Sequence, residues 1–146
     1  MFTATWKSGF GLFNQADAQK VAQEIVAIGD CATPSQIVDV GRNSNTELHK
    51  CFDWDDTIAA EKWRIEQARD IVRHLVIKED APPKDRPEIR YFFKPQGEVG
   101  YKPTEIIVKQ RDSYEALLAQ AYAELRAFKQ KYYCLNELRE ILDLID

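Results

Sequence analysis

The sequence is poor in the residues that build disulfide frameworks and metal sites, with three cysteines and two histidines in 146 residues. The cysteines are odd in number and include no Cys-x-x-Cys pair, which favours reduced thiols. His49 and His74 do not have the spacing of a His-Glu-x-x-His helix, and a closed zinc site needs four ligands. The sequence therefore predicts no metal ion and no cofactor.

Long apolar runs are also missing. No stretch approaches the roughly 18 apolar residues that a membrane-spanning helix requires. The first residues lack the basic and then apolar order of a signal peptide. We therefore expect a soluble protein of the cytoplasm, without a membrane partner.

Recognisable catalytic motifs are lacking as well. The sequence contains no phosphate-binding glycine loop, no dinucleotide-binding turn and no nucleophile elbow. Asp53, Asp55 and Asp56 offer oxygen ligands of the kind that suits magnesium, but acidic residues at the start of a helix are explained by capping. The sequence predicts a protein that is not an enzyme.

The residues that are present make a folded domain. Apolar residues account for 45% of the chain and aromatic residues for 11%, which is enough to bury a core. The formal net charge is −4, which argues against coating nucleic acid by bulk electrostatics. Any nucleic-acid contact would need a local basic patch, and only the segment 91–112 carries more basic than acidic residues.

Caps and apolar periodicity predict three helices in the first half. The first covers about 14–28, with Asn14 as its N-cap and Gly29 as its stop. The second begins at the capping box of Thr33-Pro34-Ser35-Gln36 and ends at Gly41. The third covers about 54–75 and is capped by Asp53. Its apolar face consists of Ile58, Ile65, Ala68, Val72 and Leu75.

The second half combines a hairpin with further helices. A polar, proline-rich loop at 79–88 precedes two strands, at 89–94 and 98–102, and a turn at 95–97 joins them. A short strand at 76–77 can pair with this hairpin. Helices follow at about 112–133, capped by Asp112 with Glu115 as its N3 residue, and at 136–145.

This pattern predicts an α+β fold that is mostly helical, with a helix-turn-helix-like lobe at 1–78. The loop at 79–88 separates that lobe from 89–146, where the β-hairpin and the amphipathic C-terminal helices form a dimerisation region.

Three helices followed by a hairpin is the order of a winged helix-turn-helix. Lysine and arginine would neutralise phosphates, while asparagine would read adenine edges. The polar link between Gly41 and Asp53 is longer than the roughly three or four residues of a compact helix-turn-helix. Lys62, Arg69 and Arg73 share a helix face with Glu66, which is also typical of an ordinary salt-bridged surface. The predicted DNA-binding residues are Arg42, Asn43, Asn45, Lys50, Lys62, Arg69, Arg73, Lys94 and Lys102.

Two segments carry a resemblance to a family. Residues 49–69, His-Lys-Cys-Phe-Asp-Trp-Asp-Asp-Thr-Ile-Ala-Ala-Glu-Lys-Trp-Arg-Ile-Glu-Gln-Ala-Arg, resemble a stretch of small proteins encoded by tailed phages and prophages. Residues 124–132, Glu-Leu-Arg-Ala-Phe-Lys-Gln-Lys-Tyr, resemble the C-terminal helix of the same proteins. The resemblance implies DNA binding in the manner of nucleoid-associated proteins that compact DNA as dimers, in the cytoplasm of a bacterial host. It assigns no role to any single residue.

Two functions follow as hypotheses. The first is a DNA-binding homodimer that contacts the phosphate backbone of double-stranded DNA with low sequence specificity and affects compaction or transcription. The alternative is an acidic protein-interaction module, such as a phage assembly factor or an inhibitor of a host protein. In that case exposed aromatic residues and the C-terminal helices would form the interface.

Overall fold

The computed structural model describes residues 2–9, 11–55, 60–81 and 84–146. It is an α+β fold that is mostly helical and carries two small antiparallel sheets, which confirms the predicted fold class. The elements are β1 Ala4–Trp6, α1 Ala18–Ile28, α2 Pro34–Gly41, α3 Ala60–His74, β2 Leu75–Ile77, β3 Phe92–Phe93, β4 Lys102–Pro103, α4 Thr104–Ile107, α5 Arg111–Tyr132 and α6 Arg139–Leu142.

Helix α1 starts later than the sequence predicts. Its N-cap is Asp17, whose Oδ1 accepts a hydrogen bond from the Lys20 backbone N–H at 3.1 Å. The prediction that Asn14 caps this helix is wrong, because residues 11–16 form a turn that buries Phe13 and Ala16. The predicted stop is confirmed at Gly29, which has φ 148° and donates its N–H to the Val26 carbonyl.

Helix α2 has the predicted capping box. The Thr33 hydroxyl accepts from the Gln36 N–H at 3.2 Å, and the Gln36 side chain accepts from the Thr33 N–H at 2.9 Å. The helix ends at Gly41, as predicted. A Cβ at Gly41 would lie 2.9 Å from the Phe52 ring, so this glycine lets the segment after α2 fold closely against it. Part of that segment is a 3-10 turn, Leu48–Cys51.

Helix α3 is shorter in the structure than in the prediction for 54–75. The predicted helical start falls partly on residues 56–59, which lie outside the described residues, as does Ile58. Ala68, Ile71 and Val72 are fully buried, whereas Ile65 is half-buried. Leu75 is buried as predicted but belongs to β2 rather than to the helix.

The sheets differ from the predicted hairpin. The unpredicted strand β1 pairs antiparallel with β2, from Ala4 opposite Ile77 to Trp6 opposite Leu75. The segment 76–77 also meets the hairpin, through a bridge between Val76 and Arg90.

The hairpin itself is only two residues deep, with Phe92 opposite Pro103 and Phe93 opposite Lys102. The predicted return strand at 98–102 is confirmed only at Lys102, because β4 covers Lys102–Pro103 and Tyr101 pairs instead with Ala32. Gly100 makes this possible: a Cβ there would lie 2.3 Å from the Ala32 carbonyl oxygen.

One hydrophobic core joins the segments on both sides of the loop at 79–88. Val21 and Ile37 from α1 and α2 belong to the same cluster as Ile71, Tyr91 and Phe92. The hydroxyl of Tyr91 donates to the Phe2 carbonyl at 2.9 Å, which ties the beginning of the chain to the hairpin.

The C-terminal region also departs from the prediction. Gln110 occupies the N-cap of α5 without a side-chain cap bond, and Asp112 is the second residue of the helix, so the prediction that Asp112 caps it is wrong. The predicted helix at 136–145 is a 3-10 turn, Asn136–Leu138, followed by the short α6. The single turn α4 was not predicted.

Candidate functional site

Arg42, the first predicted DNA contact, links α2 to α3. Its Nη2 lies 2.6 and 2.7 Å from the two carboxylate oxygens of Glu61, and its Nε lies 3.2 Å from Asp39. The hydrogen bond to Glu61, followed by that to Asp39, raises the pKa of Arg42. The guanidinium is thus held between two carboxylates, which offset its charge.

Three more predicted contacts are paired within their own element. Lys50 lies 3.1 Å from Glu47, and Arg73 lies 3.8 Å from Asp70. Arg69 forms an ion pair with Glu66. In each pair the carboxylate is three residues before the cation, so the pairs follow from local helical geometry.

Lys102 joins β4 to the start of α5. Its side chain is only 12% exposed, and its Nζ donates to the Ser113 hydroxyl at 3.0 Å and to Gln110 at 3.2 Å. Glu98 lies 2.9 Å away, and its hydrogen bond with Lys102 holds the pKa of Glu98 below its usual value. These contacts give Lys102 a structural role and turn its charge inward.

The other predicted residues lie on the surface. Lys62 and Lys94 are exposed and have no ion pair with any residue in the described ranges. Asn43 and Asn45 are also exposed, and the Asn43 side chain accepts from the Asn45 N–H at 2.9 Å. Five of the nine predicted residues therefore have a carboxylate partner, which weakens the local basic patch that the DNA hypothesis needs.

Arg64 is a cation that the sequence analysis did not single out. It is 4% exposed, donates from Nε to the Asp53 carbonyl at 3.0 Å, and lies 4.7 Å from the centre of the Trp54 ring. Trp54 in turn stacks on His49, with 5.0 Å between the ring centres. These contacts fix the 49–54 segment on α3 and serve the fold.

Helix α5 carries a row of exposed apolar side chains. All 22 residues of this helix are described, and only Ser113 is buried. Along one face of this helix, apolar residues follow one another at alternating steps of four and three positions, and we call this row the α5 stripe. Four of its five large side chains, at 114, 118, 125 and 128, are 42–48% exposed, and the fifth, at 132, is half-buried. The α5 stripe consists of Tyr114, Leu118, Ala121, Leu125, Phe128 and Tyr132.

A groove of about 340 Å³ separates the first half of α5 from the hairpin, and we call it the α5 groove. Phe93, Leu117 and Leu118 supply apolar walls. Arg90 and Gln120 also line it, and the Arg90 Nε and Gln120 Oε1 atoms are buried without a hydrogen-bond partner in the described part of the chain. The guanidinium stacks 4.7 Å from the centre of the Phe93 ring, and burial is the main cause that lowers the pKa of Arg90.

Sequence reasoning did not identify the α5 groove, although one signal was available. Arg90 interrupts an otherwise apolar and aromatic run, Ile89-Arg90-Tyr91-Phe92-Phe93. A charge at that position requires either a buried partner or an opening in the fold. Gln120 gives no comparable signal, because a glutamine on a helix surface is ordinary.

No protein-family model, curated protein or solved structure matches this chain. The resemblance to phage proteins therefore stays a prediction from the sequence.

Within the described ranges, no helix is long and apolar enough to cross a membrane. The same ranges hold no cluster of three or more histidine, cysteine, aspartate or glutamate side chains arranged for a metal ion.

Proposed function

We propose that this chain is a protein-interaction module that functions as a homodimer, with the α5 stripe as its interface. The observation that carries the proposal is a helix of 22 residues with one buried residue. Helices in water gain most of their stability from packing an apolar face, and the apolar face of α5 is only partly covered, with four large side chains 42–48% exposed. A partner that covers the stripe supplies the missing packing.

The spacing of the α5 stripe suits another helix. Steps of four and three positions keep apolar side chains on one seam, which is the pattern of helices that pack as coiled coils. Full burial of a large apolar side chain contributes about 1.5–3 kcal/mol. Leu118, Leu125 and Phe128 are each more than two-fifths exposed, so much of that contribution is unrealised in the single chain.

Charge supports a second copy as the partner. The first half of α5 carries Asp112 and Glu115 against Arg111, which lies 2.9 Å from Glu115. The second half carries Arg126, Lys129 and Lys131 against Glu124, so the first half is net negative and the second half is net positive. Two copies of α5 that run antiparallel bring each acidic end beside the basic end of the other and also oppose the helix dipoles.

Side-chain size supports the same arrangement. With the antiparallel copies centred on residue 123, Ala121 faces Leu125 of the second copy, and Leu118 faces Phe128. A small residue thus lies opposite a large one. A parallel pair would instead place Ala121 against Ala121 and leave space between the helices.

The ion pairs favour this function over the DNA-binding hypothesis. A protein that binds phosphates releases counterions in proportion to the cations that it brings to them. Five of the nine predicted contacts are already matched by carboxylates within the chain. DNA binding stays a prediction from the sequence.

Sedimentation equilibrium tests the proposal. We expect the wild type to have twice the chain mass of 16.9 kDa, and a variant with Leu125→Glu and Phe128→Glu to have the mass of one chain. Val99→Glu is the matched control, because Val99 is 72% exposed and lies outside α5. This control should remain a dimer. A wild type that is monomeric at every concentration would reject the proposal, as would a dimer that survives the double substitution.

A further inference from the structure

We propose that the α5 groove binds a small apolar or aromatic carboxylic acid, with Arg90 as the partner of the carboxylate and Gln120 as a second hydrogen-bonding group. The site goes beyond the proposed dimer and does not depend on it. It rests on two side chains that line the groove, each of which has one buried polar atom without a hydrogen-bond partner in the described residues, Arg90 Nε and Gln120 Oε1.

Among the described residues, Arg90 lacks the carboxylate partner that most arginines of the fold have. Arg42, Arg69 and Arg73 each have a carboxylate within 4 Å, as does Arg86 with Glu79. Arg90 is half-buried and has no ion pair within the described ranges. Withdrawing a guanidinium from water is costly unless an anion or an acceptor compensates it. A bound carboxylate supplies that compensation, because its two oxygens match the planar fork of the guanidinium.

Gln120 completes the recognition. Its terminal amide carries an acceptor on one side and two donors on the other. A half-turn about the last torsion angle therefore presents N–H instead of the buried Oε1 at the same position. In that orientation Gln120 donates to a carboxylate oxygen while Arg90 holds the charge.

The remaining lining limits the ligand. A volume of about 340 Å³ is near the lower end of small-molecule sites and suits one ring with a short chain. Phe93 and Leu117 give apolar contacts to such a ring. Glu124 also lines the groove and contributes a negative charge near Arg90, so a ligand with a single negative charge fits better than a dianion.

Titration calorimetry with 3-phenylpropionate tests the site, and 3-phenylpropanamide is the neutral isostere. Hydrogen bonds to charged groups contribute about 1.5–3 kcal/mol. We therefore expect the amide to bind about ten-fold more weakly or worse. Arg90→Gln should weaken acid binding by a similar factor, and Arg90→Lys should retain part of it because it keeps the charge. Arg86→Gln is the matched control and should leave binding unchanged, since Arg86 is exposed and does not line the groove.

The titration is repeated on the Leu125→Glu, Phe128→Glu variant, because Tyr114, Leu118 and Ala121 belong to both the α5 stripe and the groove. That variant keeps every groove residue. If this variant binds the acid, the site is supported even when the second copy covers the groove of the wild type. If the wild type is monomeric and binds the acid, the site is supported although the dimer proposal fails. The Gln120→Ala variant should also bind more weakly, and it provides a second test if Arg90→Gln does not fold.

Three results would overturn the inference. The first is an absence of binding by both the wild type and the stripe variant. The second is equal binding of the acid and the amide, which would show an apolar cavity without carboxylate recognition. The third is tighter binding of a peptide ending in a phenylalanine carboxylate than of the free acid, which would identify a chain terminus as the occupant.

Discussion

At the scale of single residues, the cations divide into those whose partners are local and those whose partners depend on the fold. The pairs of Glu66 with Arg69 and of Asp70 with Arg73 could be read from the sequence, because a three-residue step places them on one helix face. The pairing of Arg42 with Glu61 joins residues 19 positions apart and depends on how α2 packs on α3. The lack of a partner for Arg90 depends likewise on the distance between α5 and the hairpin. That distance cannot be predicted from any local sequence pattern.

Cysteine reactivity gives a prediction at this scale. Burial raises the pKa of the Cys51 thiol to about 12, and the charges of Glu47 and Glu24 act in the same direction. The thiolate is the reactive form, and at pH 8 this thiol stays protonated. We expect iodoacetamide to modify the exposed Cys134 in the native protein and to reach Cys51 only after unfolding. Peptide mapping by mass spectrometry measures both sites, and equal rates in the native protein would contradict the expected protection.

At the scale of elements, the sequence predicts those boundaries that local chemistry fixes. The capping box of α2 needs only Thr33 and Gln36 with the spacing between them, and Gly29 needs only its backbone freedom. The start of α1 was mispredicted because burial of Phe13 and Ala16 moves the cap from Asn14 to Asp17. The start of the hairpin's return strand was mispredicted because Tyr101 bonds to Ala32, a partner 69 positions earlier.

The capping box provides a prediction for α2. Thr33→Ala removes the acceptor for the Gln36 N–H, and loss of such a cap costs about 1 kcal/mol of the free energy of unfolding. Ser35→Ala is the matched control, because Ser35 is exposed in the same turn and makes no cap bond. Urea unfolding monitored by circular dichroism should show a lower midpoint for Thr33→Ala only. Equal midpoints for the two variants would contradict a stabilising role for the box.

At the scale of the whole molecule, composition and periodicity were sufficient to predict an α+β fold of mostly helical content. They were not sufficient to place β1, which is a three-residue strand and is defined by its partner rather than by its own pattern. The same distinction between local pattern and packed structure applies to the α5 stripe and the α5 groove. The apolar face of α5 could be predicted from spacing, whereas its exposure and the groove beside it required the packed structure.

Electrophoretic mobility shift tests the DNA hypothesis on the whole protein. Because five of the nine predicted contacts are paired with carboxylates, we expect the protein not to shift an unrelated duplex even at low salt, where phosphate contacts are strongest. A shift that disappears in a variant with Lys62→Glu, Arg69→Glu and Arg73→Glu would contradict this expectation and establish the sequence-based hypothesis. A shift that this variant retains would establish DNA binding at another surface.

The pairing of β1 with β2 bears on how the chain acquires its native form. Ala4 lies opposite Ile77, and the Lys7 N–H donates to the His74 carbonyl at 2.7 Å. Contacts between residues so distant in sequence carry a large loop-closure entropy and slow folding. During synthesis, β1 therefore cannot pair with β2 until about seventy further residues have left the ribosome. A nascent chain that is arrested earlier exposes an unpaired strand edge, which chaperones can bind and which can aggregate.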